Sequence, residues 1–472
     1  MTTAGEEVRL ELLIDLPPDG SRRKAVEDAL RAAIGDGRLP AGTRLPSTRD
    51  LSVQLGLSRG TVNAAYTQLT AEGWLTALTG SGTRVADQAT LMAPAPPRDP
   101  LAAWVPTHDL APGRPDISSF PRRPWAKALR EAVSEAPTEA FGYGDPRGRI
   151  ELRSTLSAYL GRVRGVHVAP EHLVICSGFS QALALLMDVF AEEGTRLVGV
   201  ENPAMADHVA TVSRRHSVVD IPVDGDGLRV DDLERSGASA VVCTPAHQFP
   251  LGVGLSVARR AQLQAWSRQV DGWVVEDDYD GEFRYEGRTL PALQNRNPGH
   301  TVYVGSTSKT LGPAVRLGWV ACPGGLLPAL VEAKRLADRQ TSPLEQLALA
   351  SLIDSGEYDR YLQAARRSYR GRRDRLLAAV GERLPGVRVV GVEAGLHAIL
   401  ELPAGAPGER EIVAFLRDRS VRVHPFGNYV RGGDGVGERT RIVLGYATPA
   451  AHGYSSAVAA LVEGLGVLLR GV

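Results

Sequence analysis

The sequence predicts two folded parts of different class: a small helical module near the N-terminus and a large α/β domain behind it. Three observations carry this. Residues 21–86 hold apolar positions at helical spacing, punctuated by Gly and Pro. Residues 87–114 lose that periodicity and are rich in Pro. Beyond them, short apolar runs alternate with helical stretches, the pattern of a mostly parallel sheet with helices on both faces. A chain of 472 residues, 43% hydrophobic and 23% charged, has apolar mass for more than one core.

Within the first module, Val26, Leu30 and Ile34 share one helical face, and Gly35-Asp36-Gly37 ends that helix. Pro40, Gly42 and Pro46 mark a loop. Ser47 caps a short helix through Leu55, Gly56 makes the turn, and Ser58 caps a longer helix running to Glu72. Two capped helices joined by a tight Gly turn predict a helix-turn-helix. Residues 74–76 and 83–85 then read as two short strands around Thr79-Gly80-Ser81-Gly82, a wing. The formal net charge is zero, but residues 21–86 hold nine Arg plus Lys against five Asp plus Glu, leaving 45 against 49 elsewhere. A basic module on an acidic body fits a polyanion contact confined to that module. Arg59, Thr61 and Asn63 begin the second helix behind Ser58, where helix-turn-helix docking places side chains on base edges. Arg44, Arg49 and Arg84 suit phosphate contacts. The partner implied is double-stranded DNA; the blander alternative is a dimerisation module with a solvated Arg face.

Residues 1–20 read as an extension. Their acidic start lacks a basic region followed by an apolar stretch, so no secretory leader is expected. No apolar run reads as long enough to span a bilayer. Cys176, Cys243 and Cys322 lie in apolar runs and read as buried thiols of a reducing, cytoplasmic protein rather than a disulfide or metal set. The linker 87–114, roughly 28 residues at about 3 Å each, could span on the order of 80 Å.

The large domain, 115–472, contains strand-like runs at 173–176, 196–200, 218–221, 240–243, 273–276, 302–304 and 317–322. In open sheets of this kind ligands sit beyond the strand ends, and the polar motifs accumulate there. Ser177-Gly178-Phe179-Ser180 opens a helix whose free backbone amides make a seat for a phosphate. In Glu276-Asp277-Asp278-Tyr279 the alternation of extended chain puts Asp277 and Tyr279 on one face. A carboxylate there can keep a ring nitrogen protonated, and a phenol can reach a ring hydroxyl. Only four lysines occur, and Lys309 follows Ser306-Thr307-Ser308. An amine, unlike a guanidinium, can lose its proton and condense with a carbonyl. Ser306 and Ser308 offer hydroxyls, and Arg316, seven residues on, can clamp a phosphate with two bonds. Anchor amine, phosphate seat, carboxylate and phenol together match pyridoxal 5'-phosphate.

The chain resembles MocR-type transcriptional regulators of the GntR superfamily. The first module is similar to a GntR winged helix through Gly37-Arg38-Leu39-Pro40, Gly42-Thr43-Arg44-Leu45-Pro46-Ser47, Leu55-Gly56-Leu57-Ser58-Arg59-Gly60-Thr61-Val62 and Ala71-Glu72-Gly73-Trp74-Leu75. The large domain resembles fold-type I aminotransferases through Thr244-Pro245-Ala246-His247-Gln248-Phe249-Pro250, the run from Glu276 to Tyr285, and Ser308-Lys309, with a smaller C-terminal subdomain expected at about 365–472. The resemblance implies a Schiff-base anchor at Lys309, Asp277 on the pyridine nitrogen and Tyr279 on the ring oxygen. It places Gly178, Phe179, Ser306, Ser308 and Arg316 on the phosphate, with Tyr143 reaching the phosphate of a neighbouring subunit. It also implies a head-to-tail homodimer that exchanges its winged helices. Three departures stand out. Phe249 replaces the usual Asn before Pro250, Met205 replaces a ring-stacking aromatic, and Val443 fills the slot of an Arg that binds substrate carboxylate. Arg441 shares that strand face but is displaced by about 6–7 Å. Three functions therefore stay open: a regulator sensing the cofactor or an amine, amino-acid-like effectors included; a working aminotransferase tethered to DNA; and a repressor whose large domain is only a dimer scaffold. His247 and His397 read as hydrogen-bonding or packing groups, with a general base as the alternative.

Overall fold

The computed structural model describes residues 21–35, 38–78, 82–86, 104–285, 291–391, 394–432 and 439–470. The chain divides into two compact units, 1–105 and 106–472.

In the smaller unit, helices Arg22–Gly35, Thr48–Leu55 and Arg59–Ala71 pack around Val26, Leu30, Leu51, Val62 and Leu69, all fully buried. The caps fall where the sequence put them. The Ser47 hydroxyl accepts from the Asp50 amide at 3.2 Å, and that of Ser58 from the Thr61 amide at 3.1 Å. Gly56 closes the first of these helices in the left-handed region, φ 63°, a conformation that costs only glycine little. Strands Leu75–Leu78 and Gly82–Val85 pair antiparallel as the wing, each one residue longer than expected. The expected helix stop at Asp36-Gly37 and most of the wing turn lie outside the described residues.

The larger unit is built on an eight-stranded sheet. Its order is Leu173–Cys176, Gly318–Ala321, Thr301–Ser306, Trp273–Asp278, Ala240–Cys243, Leu197–Asn202, Ser217–Asp224, Gly227–Leu228. The four neighbour pairs from Thr301–Ser306 to Ser217–Asp224 are parallel, while Gly318–Ala321 and Gly227–Leu228 run antiparallel to their neighbours. All seven expected strands are present. Side chains alternate between two cores: Ala240 and Val242 pack on the side of helix Phe179–Glu192, Val241 and Cys243 on the side of helix Val257–Gln269. Burial on both faces is why these strands read as unbroken apolar runs. All three cysteines are buried and free.

A second, antiparallel sheet (Arg388–Val390, His397–Glu401, Arg441–Gly445, His424–Pro425) lies in the stretch expected to form the smaller subdomain. The 27-residue helix Glu357–Arg383 leads into it. Among the described residues one helical stretch, Ala451–Leu469, is long and apolar enough to cross a membrane, which the sequence reading did not pick out. Its residues Ala457, Leu461, Val462 and Leu465 pack into the core against helices Glu357–Arg383 and Glu409–Asp418, the physical source of that apolarity.

The linker boundary needs correction. Residues 106–114 belong to the larger unit. Strand His108–Asp109 pairs parallel with Val421–Arg422, and Leu110 is fully buried. Irregular, proline-punctuated sequence signalled a spacer. The backbone partners of this segment lie more than 300 residues away, where no local pattern announces them.

Candidate functional site

Strand Leu173–Cys176 ends at Ser177-Gly178, and helix Phe179–Glu192 starts there. Gly178 has φ 92° and ψ 177°, a combination essentially restricted to glycine. A β-carbon on Gly178 would lie 3.6 Å from Arg316 Nη1 and 3.8 Å from Ser308 Oγ, so this turn, the guanidinium and the hydroxyl converge on one small volume. Arg316 also donates to the Ser177 carbonyl. Gly318, on the neighbouring strand, has no room for a β-carbon because Gly178 Cα would stand 2.8 Å from it. Ser306 Oγ accepts from the Ser308 amide at 3.2 Å, which orders the turn carrying Lys309. Phe179 packs its ring against His208, centroids 4.6 Å apart.

Strands Trp273–Asp278 and Thr301–Ser306 are adjacent and parallel, which brings the ends bearing Asp277 and Lys309 together. The alternation read from sequence holds. Asp278 turns to the opposite face, where Arg164 pairs with it at 2.6 and 3.1 Å and the Tyr303 hydroxyl donates to it at 2.7 Å. Asp277 is buried and its carboxylate accepts no hydrogen bond from the described residues. Burial pushes its pKa well above the usual carboxylate range, with the Lys309 charge opposing. Lys309 is shifted the other way: burial lowers its pKa, while Asp277 and Asp280 counteract. Its Nζ donates to the Gly113 carbonyl at 2.6 Å.

Tyr279 donates its hydroxyl to the His247 carbonyl at 2.9 Å, and His247 Nδ1 stands 3.2 Å from the same oxygen. That nitrogen lies 2.8 Å from Asp280, and Gly395 packs so closely that a β-carbon there would meet the imidazole at 2.1 Å. His397 Nε2 is 3.0 Å from the Pro250 carbonyl. His247, Asp280 and His397 bring their ligand atoms within 4.8 Å of one another, but hydrogen bonds already use one nitrogen of each ring, and the cluster serves to orient Tyr279. Asp280, Gly113 and Gly318 went unnoticed in the sequence; the invariance of a motif across relatives would have been the signal for them, and one sequence carries none.

Around the departures from the aminotransferase pattern the structure is apolar. Val443 is fully buried in a cluster with Phe249, Ile399, Phe426 and Tyr429, against which Met205 and Tyr279 pack. Arg441 is bound to Glu401 at 3.0 Å and does not replace the missing Arg. Tyr143 is 87% exposed, with the Arg339 guanidinium 5.6 Å from its ring centre. No hydrogen bond or ring contact joins it to the Gly178–Ser308–Arg316 cradle within the chain, among the described residues.

In the smaller unit, Arg59 and Asn63 stand exposed one helical turn apart, and Arg44 and Arg49 are exposed on the approach. Ser58 and Thr61 join hydroxyls at 2.8 Å. Arg84 donates to the Gly42 carbonyl at 2.9 Å, which ties the wing to the loop.

Residues 105–450 match the aminotransferase class I and II family, and residues 22–85 match bacterial regulatory proteins of the gntR family. The chain is 32% identical to the pyridoxine biosynthesis transcriptional regulator PdxR of Corynebacterium glutamicum, covering 89% of this chain and 90% of that protein. The chain belongs to the MocR-type GntR regulators. It is also 32% identical to the probable rhizopine catabolism regulatory protein MocR of Rhizobium meliloti, covering 76% and 77% of the two chains. The regulator aligns with the multiple substrate aminotransferase of Thermococcus profundus at a TM-score of 0.70 and 26% identity, covering 82% of this chain and 98% of that one. An alpha-aminoadipate aminotransferase of Thermus thermophilus, solved with N-(5'-phosphopyridoxyl)-L-leucine, aligns at 0.68 and 27%, covering 77% and 93%. The family and fold support pyridoxal phosphate binding. The residues gathered here fit that group: the buried Asp277 carboxylate accepts no hydrogen bond among the described residues, and a guanidinium, a hydroxyl and a glycine turn converge on one small volume.

Proposed function

We propose that this regulator reads an amine through pyridoxal phosphate held at Lys309 and passes the result to DNA bound by its winged helix. Bound pyridoxal phosphate supplies an aldehyde that condenses with amines and a ring that accepts electron density once its nitrogen is protonated. The chain's own groups divide the work. Asp277 would hold the proton at the ring nitrogen. Tyr279, oriented by His247 and Asp280, would set the ring oxygen. Arg316, Ser308, Ser306 and the Gly178 and Phe179 amides would bind the phosphate, with Met205 against the ring face. The lowered pKa of Lys309 keeps more of its amine uncharged near neutral pH, the form that reacts.

The observation that carries regulation over catalysis is Val443, buried among Phe249, Phe426 and Tyr429 where an amino-acid enzyme of this fold has its carboxylate Arg. The intact Lys309, Asp277 and Tyr279 favour the second reading, a working aminotransferase. Multiple-turnover transamination with common amino donors is the test between them. Sustained turnover would establish the enzyme; none across a broad amine panel, with operator affinity that responds to amines, establishes the sensor. The purified protein is expected to be yellow, with an absorbance band removed by borohydride and an adduct at residue 309. A protein that stays colourless after incubation with the cofactor overturns the proposal.

On the DNA side, Arg59, Thr61 and Asn63 would meet base edges, and Arg44, Arg49, Ser58 and Arg84 the backbone. Residues 1–20 form the extension, 21–86 the DNA-binding domain and 87–105 the linker. A head-to-tail homodimer with exchanged winged helices completes the proposal. It is supported by the exposure of Ile117, Phe141 and Tyr143 and by an open, largely apolar groove of about 620 Å³ between Phe120, Trp125, Val315 and Arg316. Tyr143 would then reach the partner's phosphate. The setting is cytoplasmic, as transcription regulation requires. Analytical ultracentrifugation at increasing concentration tests the dimer.

A further inference from the structure

A polar cavity of about 220 Å³ lies on the Asp278 side of the sheet, where Arg164 lines it. Three elements wall it. Helix Ile150–Arg164 brings Tyr159, Arg162 and Arg164; the turn after Tyr279 brings Glu282; the long helix Glu357–Arg383 brings Asp359 and Arg366. The turn is held from both sides. A β-carbon on Gly281 would stand 2.8 Å from Arg164 Cζ, and the Gly395 amide donates to the Phe283 carbonyl at 2.7 Å. Asp280, which orients His247 and Tyr279, is two residues from Glu282. One wall of the cavity is therefore continuous with the support of the cofactor site.

Two of the lining charges are matched in place. Arg164 pairs with Asp278 at 2.6 and 3.1 Å, and Arg162 with Asp359 at 2.7 Å. Glu282 and Arg366 form no ion pair among the described residues, neither with each other nor with a third group. Arg366 Nε donates to the Glu282 backbone carbonyl at 2.8 Å, which sets the guanidinium beside the turn and leaves both its Nη groups without a hydrogen bond to the described residues. The Glu282 side chain is half-buried. Burial, with the Asp278 charge, pushes its carboxyl up to about 7 while Arg164 opposes, the mark of a carboxylate with no cation against it. An unmatched anion and an unmatched cation lining one small cavity are complementary to a zwitterion.

We propose that this cavity is a second ligand site that takes a free amino acid, its ammonium on Glu282 and its carboxylate on Arg366. The remaining donors of Arg162 stand in the same cavity for that carboxylate. The ligand is held by charge alone and condenses with nothing, so the site works whether or not Lys309 carries an aldehyde. An occupant touches the helix Ile150–Arg164, the turn that carries Asp280 and the long helix leading to the smaller subdomain. It favours the arrangement of these three elements that it fits best.

The test uses the full chain loaded with pyridoxal phosphate and then reduced with borohydride, so that no amine can condense at Lys309; a chain that takes up no cofactor is titrated directly. Calorimetry follows L-alanine, β-alanine and L-leucine, each against the molecules that lack one of its charges: ethylamine and propionate for the first two, isopentylamine and 4-methylpentanoate for the third. The wild type is expected to bind at least one amino acid saturably, and removal of either charge from that ligand to weaken binding roughly tenfold or more. Glu282→Gln and Arg366→Gln are each expected to weaken it by a similar factor, with the cofactor band and melting temperature unchanged. Arg366 is exposed on its helix, so its variant tests the site even if Glu282→Gln lowers the melting temperature. No saturable binding by the wild type, analogues lacking one charge that bind equally well, or an Arg366→Gln protein that binds like wild type overturns the assignment.

Discussion

Gly178→Ala separates backbone strain from ligand exclusion at one atom. At φ 92° and ψ 177° an alanine sits in a region essentially closed to side chains, at a cost of about 1–3 kcal/mol. That cost is paid without cofactor, so urea unfolding of the cofactor-free variant should show the larger unit destabilised by that amount. The added methyl also stands 3.6 Å from Arg316 Nη1 and 3.8 Å from Ser308 Oγ, in the volume assigned to the phosphate. Losing one charge-assisted hydrogen bond there is worth about 1.5–3 kcal/mol, or roughly ten- to hundredfold in affinity. Cofactor affinity is measured by titrating the absorbance band into stripped protein. If Gly178→Ala takes up pyridoxal phosphate with wild-type affinity, this turn is not the phosphate seat, whatever its stability. If it is as stable as wild type, the backbone has relaxed and the strain argument fails.

Arg59→Ala should reduce discrimination between a selected operator duplex and a mismatched one by about 1–3 kcal/mol at the base it contacts, measured by fluorescence anisotropy at fixed salt. Equal loss on both duplexes would make Arg59 a phosphate contact. Arg372→Met leaves Asp116 buried without its cation and the carbonyls of Ala447 and Pro449 without a donor. A loss of about 3–5 kcal/mol in the larger unit is expected from urea unfolding, and a loss under 1 kcal/mol would show that water reaches Asp116. Burial raises the pKa of Glu201 to about 7 despite hydrogen bonds from Thr244 and Gln248. Above the unfolded value of about 4.3 the folded protein retains a proton that the unfolded chain has released, so this group's contribution to stability falls as pH rises from about 4 to about 7. Glu201→Gln should flatten stability over that window relative to wild type; an unchanged slope places the titration elsewhere.

The sequence by itself determined whatever local chemistry can determine. Ser47, Gly56 and Ser58 fix helix ends through their own backbone preferences, and the seven strands announce themselves because a sheet covered on both faces demands uninterrupted apolar side chains. The alternation that separates Asp277 from Asp278 is equally local. Lys309 stood out as a candidate anchor because a Schiff base needs an amine and lysine is scarce in this chain. Tertiary structure decided the rest. The last residues of the supposed linker are strand and core, because their partners are Val421–Arg422 and Gly445, three hundred residues on. Arg441 could not be judged until Glu401 was seen to hold it, nor Tyr279 until His247 and Asp280 stood beside it. Gly113 drew no notice in a proline-punctuated stretch, and only folding sets its carbonyl against the Lys309 amine. Side-chain preference is a property of neighbours in sequence, whereas a binding site is a property of neighbours in space.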